Sequence, residues 1–136
     1  MTSFEVVYTA FLSKILEDEW ENWKEEDVNA DMFTLLEAAV MRFKFPRVSL
    51  EYTSEGFTDD LTNDEVQILA CYMKCEWLNR TILTWENVKP LYEERDFSQA
   101  NLLDKFNAML AAEQKHAEEL EGIYYRSINK KPFKYS

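Results

Sequence analysis

Glu113 and His116 are the first residues whose types and spacing could do chemistry, since they form a Glu-x-x-His unit on one helical face. Di-iron bundles use two such units, because each metal ion takes a histidine of its own. This chain has one histidine in all. We therefore interpret the pair as part of a solvated helix face. The same scarcity leaves no Ser-His-Asp or Cys-His pair with local support for nucleophilic catalysis.

The two cysteines, Cys71 and Cys75, are one helical turn apart. This i, i+4 spacing is poorly suited to a disulfide bond, which favours a reducing compartment. As metal ligands the thiols would need two further soft donors, and the sequence offers none short of joining several chains. We predict that both cysteines are small buried residues of a hydrophobic core.

An acidic group, Asp59, Asp60, Asp64 and Glu65, has the charge of a calcium site but lacks its pattern of alternating ligands and central glycine. The last two acids are better explained as favourable charges at a helix N-terminus. The two glycines of the chain lie too far apart to build a phosphate-binding loop. We therefore expect no catalytic residue, no metal and no cofactor, and so a structural or binding module rather than an enzyme.

Helices must supply most of the fold. Among 136 residues there are only 2 glycines and 3 prolines, while 46% of the residues are apolar. This composition favours long helices over the many turns of a sandwich or barrel. We find no signal peptide and no apolar run long enough to span a membrane, so we expect a soluble chain.

Four segments have apolar residues at the spacing of an amphipathic helix. The first runs from Ser3, and the last three begin near Asp31, Thr62 and Ser98. Thr62 and Glu65 form a capping box, and the helix that follows is apolar on two faces, which predicts a central position. This helix is expected to end near Asn79 or Arg80. Between the second and third helices, residues 47–61 are expected to hold a short extended segment and a loop. We predict an all-α fold: a compact bundle of about four main helices, with a long C-terminal helix, within a domain of residues 1–126.

From Glu113 onward the pattern of the last helix thins to polar residues. We expect this half to project beyond the core or to meet another chain. Pro132 should end the helix, so residues 127–136 are predicted to form an extended C-terminal tail.

Charge is distributed very unevenly along the chain. Residues 1–121 contain all 26 acids and 11 of the 15 bases, whereas residues 122–136 contain four bases and no acid. An acidic body repels phosphate, which argues against a protein that grips DNA or an anionic membrane.

The basic tail has two interpretations. It is either a frayed terminus or an arm that docks on another protein, which includes a neighbouring copy of this chain. The candidate partner-binding residues are Arg126, Lys130, Lys131, Phe133, Lys134 and Tyr135. Trp20 and Trp23, within an acidic stretch, either form a second interface or cover the chain's own core.

Two segments resemble the head–tail connector, or adaptor, proteins of tailed phages that infect Gram-positive bacteria. The first runs from Asp60 to Leu78 and contains Ile-Leu-Ala-x-x-Met followed by Trp-Leu. The second opens the last helix with Phe97-Ser98-Gln99-Ala100-Asn101. The resemblance extends over about residues 3–125 and leaves out Trp20, Trp23 and the tail.

The resemblance implies a structural virion protein, made in the host cytoplasm and located in the neck of the particle. Such adaptors form a homo-oligomeric ring, commonly of twelve copies, beneath the portal protein. The ring prolongs the DNA channel without sequence-specific binding and offers a platform for the next neck or tail component. Their C-terminal segments often reach the portal.

One alternative remains open at this stage. The acidic stretch from Glu17 to Asp27 also suits a small regulatory or inhibitor protein that presents carboxylates to a basic partner.

Overall fold

The computed structural model describes residues 1–15, 25–44, 46–88 and 96–134. In chain order the elements are β1 (Thr2–Ser3), α1 (Phe4–Leu12), α2 (Glu25–Arg42), β2 (Gly56–Phe57), α3 (Asn63–Val88) and α4 (Asp96–Lys134). Most of the described residues are helical, which confirms the predicted all-α bundle of four helices.

Helix α3 is the centre of the bundle, because α1, α2 and α4 all pack against it. Its side chains are buried on two faces, as the sequence predicts. The most deeply buried residues of α3 are Glu65, Ile68, Leu69, Ala70, Cys71, Met73, Cys75 and Leu78. Each large apolar side chain removed from water in this way contributes roughly 1.5–3 kcal/mol.

The capping box that the sequence predicts at the start of α3 is present. The backbone N–H of Thr62 donates to Glu65 Oε1 at 2.7 Å, and the backbone N–H of Glu65 donates to Thr62 Oγ1 at 3.3 Å. Two donors of the first turn are thereby satisfied within the helix end itself. The start of α3 is thus fixed by the chain's local sequence.

Helix α1 begins at the predicted Ser3 cap, whose hydroxyl accepts a hydrogen bond from the Glu5 backbone N–H at 3.3 Å. A short two-stranded sheet holds the chain just before it: Thr2 pairs with Phe57 and Ser3 with Gly56 in antiparallel register. A Cβ added at Gly56 would lie 2.2 Å from the carbonyl oxygen of Thr2. Only glycine permits this close approach. Gly56 thus opens a short strand within residues 47–61, the segment predicted to hold an extended part and a loop.

Three predicted helix boundaries are wrong. Asp31 is inside α2, which begins at Glu25. Its carboxylate forms a bidentate ion pair with Arg80 of α3. Helix α3 does not end near Arg80 but continues to Val88. Ser98 lies inside α4, which starts at Asp96. In the first case the N-cap residue type serves a partner on another helix, and local propensity is overridden by tertiary contact.

The C-terminal tail also differs from the prediction. Helix α4 continues through Pro132 to Lys134, so residues 127–134 are helical rather than extended. Extending an existing helix costs little compared with starting one, and a proline so close to the end removes only one interior hydrogen bond. Whether residues 127–136 act as a separate unit stays a prediction.

Among the helices of the described ranges, none has an apolar stretch that is long enough to cross a lipid bilayer.

Candidate functional site

Five of the six predicted partner-binding residues lie at the end of α4. Arg126 is exposed, and Lys130, Lys131, Phe133 and Lys134 follow on the helical backbone. Tyr135 falls outside the described residues, as do Trp20 and Trp23 of the second candidate interface. The end of α4 therefore brings four bases into one helical segment, and the docking role assigned to them stays a prediction.

Tyr124 anchors α4 to the bundle just before this basic segment. Its side chain is buried, and its hydroxyl donates a hydrogen bond to Glu65 Oε2 at 2.6 Å. The same hydroxyl accepts a bond from the Arg47 backbone N–H at 2.7 Å. One tyrosine thus joins α4 to the capping box of α3 and to the loop that follows α2.

Glu121, one helical turn earlier, forms a second polar anchor. Its carboxylate is 5% exposed, and its Oε1 accepts a bond from the Tyr72 hydroxyl at 2.7 Å. Its Oε2 accepts a bond from the Lys44 backbone N–H at 2.9 Å. We call Glu65, Tyr72, Glu121 and Tyr124 the tyrosine cluster.

The environment of the tyrosine cluster keeps both phenols protonated. The pKa values of Tyr72 and Tyr124 lie well above that of a free tyrosine. Burial is the main cause, and the hydrogen bonds from Tyr72 to Glu121 and from Tyr124 to Glu65 raise the pKa values further. Each hydroxyl therefore remains a donor to its carboxylate throughout the neutral range. The cluster holds the helices together, and neither phenol is prepared to transfer a proton near neutral pH.

The prediction that the second half of α4 projects beyond the core is wrong up to Tyr124, whereas the alternative that it meets another chain stays a prediction. Ala117, Glu121 and Tyr124 are buried, whereas Phe106 and Met109 in the more apolar first half are only half-buried. The polar residues of the second half reach the core because Tyr72 and Glu65 on α3 supply hydrogen-bond partners. Periodicity of apolar residues alone does not register such pairing.

An open groove separates the end of α2 from the second half of α4. Its volume is about 520 Å³, and its walls include Arg42, Lys44 and Glu118. Two of the lining residues are apolar and exposed: Met41 is 87% exposed and Tyr125 is 41% exposed. The groove combines apolar surface with charges of both signs, a composition that suits a protein partner.

The two cysteines are free and buried, as predicted. Burial raises the pKa of the Cys71 thiol to about 11 and that of the Cys75 thiol to about 12. The thiolate is the nucleophilic form of cysteine, and it is scarce at neutral pH when the pKa is this high. Neither cysteine is prepared to act as a nucleophile.

The fold nevertheless brings together three groups that the sequence analysis kept apart. One ligand atom each from Cys71, Glu113 and His116 lies within 4.8 Å of the other two. His116 is exposed, as predicted for a solvated helix face, but Glu113 is half-buried and pairs with Lys74 at 3.3 Å. We call Cys71, Glu113 and His116 the cysteine cluster. The sequence offers Cys71 no further soft donors nearby along the chain, but the packing of α3 against α4 places an imidazole and a carboxylate beside it.

The acidic residues near the start of α3 do not converge on a common point. Asp59 accepts a bond from the Ser49 backbone N–H at 2.9 Å, Asp60 pairs with the N-terminal amine, and Glu65 belongs to the capping box. Each of these three has a structural partner of its own.

Comparison with known proteins yields no match to a family model, to a curated protein or to a solved structure.

Proposed function

We propose that this chain is a structural head–tail connector protein of a tailed phage, an adaptor that assembles as a ring beneath the portal. The resemblance of Asp60 to Leu78 and of the start of α4 to such adaptors supports the proposal, as does the four-helix fold. The observation that carries it is the change of charge along α4. Six acids and two bases precede Gly122, and four bases without an acid follow it.

The basic segment continues the helix beyond the core. Tyr124 is the last buried residue among the described side chains of α4, and the helix runs ten residues further, to Lys134. At 1.5 Å per residue this adds about 15 Å of helix. A basic helical segment that continues past an acidic body is a natural attachment point for an acidic surface, either on a neighbouring copy or on the portal.

Ring assembly requires two different faces on each subunit, because the contact is head to tail and closes on itself. The basic end of α4 supplies one charged face and the acidic body the other. Apolar surface is available as well: Met41 and Tyr125 flank the groove, and Ile123 is exposed one turn before the basic residues. These surfaces support neighbour contacts without any change of fold.

A ring that DNA must pass through gains from an acidic or neutral lining. Phosphates find no counter-charge on such a surface, so the DNA can slide without being held. The net charge of the chain is -11, and all of the positive excess lies in the terminal segment. The proposal therefore assigns the acidic body to the channel and to subunit contacts, and the basic segment to docking.

The decisive experiment mixes the full-length protein with the cognate portal protein and measures the mass of the complex by light scattering and native mass spectrometry. We expect the adaptor to be recruited to the portal ring in a fixed ratio. The adaptor alone can be monomeric under either outcome, so only the mixture is informative. Failure of the full-length chain to bind the portal or any other neck component would contradict the proposal.

A matched pair of charge reversals tests the role of the basic segment. Lys130→Glu with Lys131→Glu should abolish recruitment, because the terminal segment loses its positive charge. Lys105→Glu with Lys115→Glu changes the net charge equally at exposed positions nearer the start of α4 and should leave recruitment largely intact. Equal losses in both variants would show that overall charge, not the basic segment, controls docking.

Replacing the acids of residues 17–27 by glutamine separates the adaptor from the acidic-inhibitor alternative. An inhibitor that imitates a nucleic acid depends on these carboxylates and would lose its activity. Portal recruitment through the basic segment should persist. The measurement is again the mass of the mixed complex.

A further inference from the structure

We propose that the cysteine cluster is a zinc-binding site, formed where α3 and α4 pack together. Cys71 comes from α3, and Glu113 and His116 come from α4 at i and i+3. The three ligand atoms already lie within 4.8 Å of one another. This inference goes beyond the adaptor function and does not depend on it.

The donor types favour zinc over the common hard cations. A thiolate, an imidazole nitrogen and a carboxylate oxygen are all familiar zinc ligands, whereas magnesium and calcium prefer oxygen alone. Because Cys71 is a thiol in the metal-free protein, zinc would displace its proton, which is released to solvent as the Zn–S bond forms. Zinc–ligand bonds of about 2.0–2.3 Å place tetrahedral donors roughly 3.3–3.8 Å apart. The ligand atoms therefore need to converge by about 1 Å. Rotation of the exposed imidazole and of the flexible Glu113 side chain can supply that movement.

Burial decreases across the cluster in a way that gives the ion a route from solvent. Cys71 is fully buried, Glu113 is half-buried and His116 is exposed. His116 also lines an adjoining groove of about 290 Å³, together with Lys14 and Gln67. A water molecule in this groove could complete the four ligands of the ion, as in zinc sites with three protein ligands.

Two lysines oppose cation binding and must be included in the account. Lys74 Nζ lies 3.3 Å from Glu113 Oε2, and the charge of Lys14 acts on the Cys71 thiol. Both are on flexible side chains, and the second oxygen of Glu113 can serve the ion. Removing the competing charge with Lys74→Ala should therefore tighten zinc binding, by roughly twofold to fivefold.

Bound zinc would fasten α4 to α3 about two helical turns before the tyrosine cluster. It binds the folded chain, since the unfolded chain does not hold the three groups together. The melting temperature should accordingly rise with zinc concentration, and a chelator should reverse the rise. Magnesium and calcium at the same concentration should leave the melting temperature unchanged.

Cobalt titration of the untagged full-length protein, under reducing conditions, tests the site directly. Thiolate coordination to Co²⁺ gives a near-ultraviolet charge-transfer band, and added Zn²⁺ should displace the cobalt and remove the band. Cys71→Ser should abolish the band and weaken zinc binding by at least the roughly tenfold to hundredfold typical of lost supporting residues. Cys75→Ser is the matched control, because Cys75 is equally buried on the same helix, and it should retain the band.

His116→Ala keeps the test decisive should Cys71→Ser fail to fold. His116 is exposed, so its loss should not disturb the core, yet zinc affinity should fall at least tenfold. Lys115→Ala, at the exposed neighbouring position, should change nothing. Absence of a cobalt band in the wild-type protein would overturn the proposal. A band that Cys75→Ser abolishes would overturn it as well, since the thiolate would then come from elsewhere.

Discussion

The tyrosine cluster and the cysteine cluster lie in the same helix–helix interface, yet they differ in their exposure to solvent and in the chemical groups that they bring together. In the tyrosine cluster each buried carboxylate oxygen faces an O–H or N–H donor, with distances of 2.6–2.9 Å. In the cysteine cluster the Glu113 carboxylate faces the Cys71 thiol and the Lys74 ammonium, and the exposed His116 imidazole lies beside them at the edge of solvent. A buried and fully paired polar cluster stabilises a fold. A thiol, a carboxylate and an imidazole that meet at the edge of solvent can exchange their partners for a metal ion.

The largest expected effect follows from removing the acid at the centre of the tyrosine cluster. Glu65→Ala leaves the Thr62 N–H and the Tyr124 hydroxyl without their acceptor and removes half of the capping box. We expect the free energy of unfolding to fall by roughly 3 kcal/mol, measured by urea denaturation. Asp64→Ala is the control: Asp64 is exposed at the same helix end, and only its charge on the first turn is lost, less than about 1 kcal/mol.

Equal effects of the two substitutions would mean that Glu65 acts only through charge at the helix end. The hydrogen bonds to Thr62 and Tyr124 would then carry no measurable stability. The contrast between the tyrosine cluster and the cysteine cluster would then lose its basis.

A smaller loss is expected from Tyr124→Phe. The ring and its packing remain, but Glu65 Oε2 loses a donor and the Arg47 N–H loses an acceptor. We expect a decrease of about 1–2 kcal/mol in the free energy of unfolding. Ile123→Val, at an exposed position on the same turn of α4, should change it by less than about 0.5 kcal/mol.

Alkaline pH should weaken the tyrosine cluster through the raised pKa values of Tyr72 and Tyr124. Unfolded tyrosines lose their protons near pH 10.0, whereas the folded ones keep theirs, so the unfolded state binds fewer protons above that pH. The stability contribution is full below pH 10.0 and declines as the pH rises toward the folded pKa values, by about 1.4 kcal/mol per pH unit for each tyrosine.

In the double variant with Tyr72→Phe and Tyr124→Phe, the free energy of unfolding should decline less steeply with rising pH, because the contribution of the two phenols is absent. Denaturation at several alkaline pH values measures the difference in slope between wild type and variant. Comparing slopes is necessary because the buried Cys71 and Cys75 thiols act in the same direction from about pH 9.0 upward. Identical slopes would show that neither phenol is protected in the folded state.

Only part of this interface could be predicted from the sequence. The capping box of Thr62 and Glu65 is a local pattern, and it was predicted because its partners are three residues apart. The bond from Tyr124 to Glu65 joins residues 59 positions apart, and no periodicity encodes it. Asp31 illustrates the same limit, since its residue type suggests a cap while its partner, Arg80, is on another helix.

The cysteine cluster was missed for a related reason. Along the sequence, Cys71 is close to Cys75 and Glu113 is close to His116. Neither pair alone supplies enough ligands for a metal ion. Only the antiparallel packing of α3 and α4 unites one member of the first pair with both members of the second. A prediction of that packing from the long apolar faces of α3 and α4 could have suggested the encounter. The register of the two helices could not be predicted in this way, because it depends on buried polar contacts such as that of Tyr72 with Glu121.

The smallest effect without metal is expected from Glu113→Gln. The amide oxygen of glutamine can still accept a bond from Lys74, so the free energy of unfolding should fall by less than about 1 kcal/mol. With zinc at one hundred times its dissociation constant, wild type should gain about 2.7 kcal/mol, and the variant should gain much less because a charged ligand is lost. Urea denaturation with zinc and with a chelator measures both differences. A loss as large as that of Glu65→Ala in the presence of chelator would mean that Glu113 is a structural residue like Glu65, and the contrast between the clusters would fail.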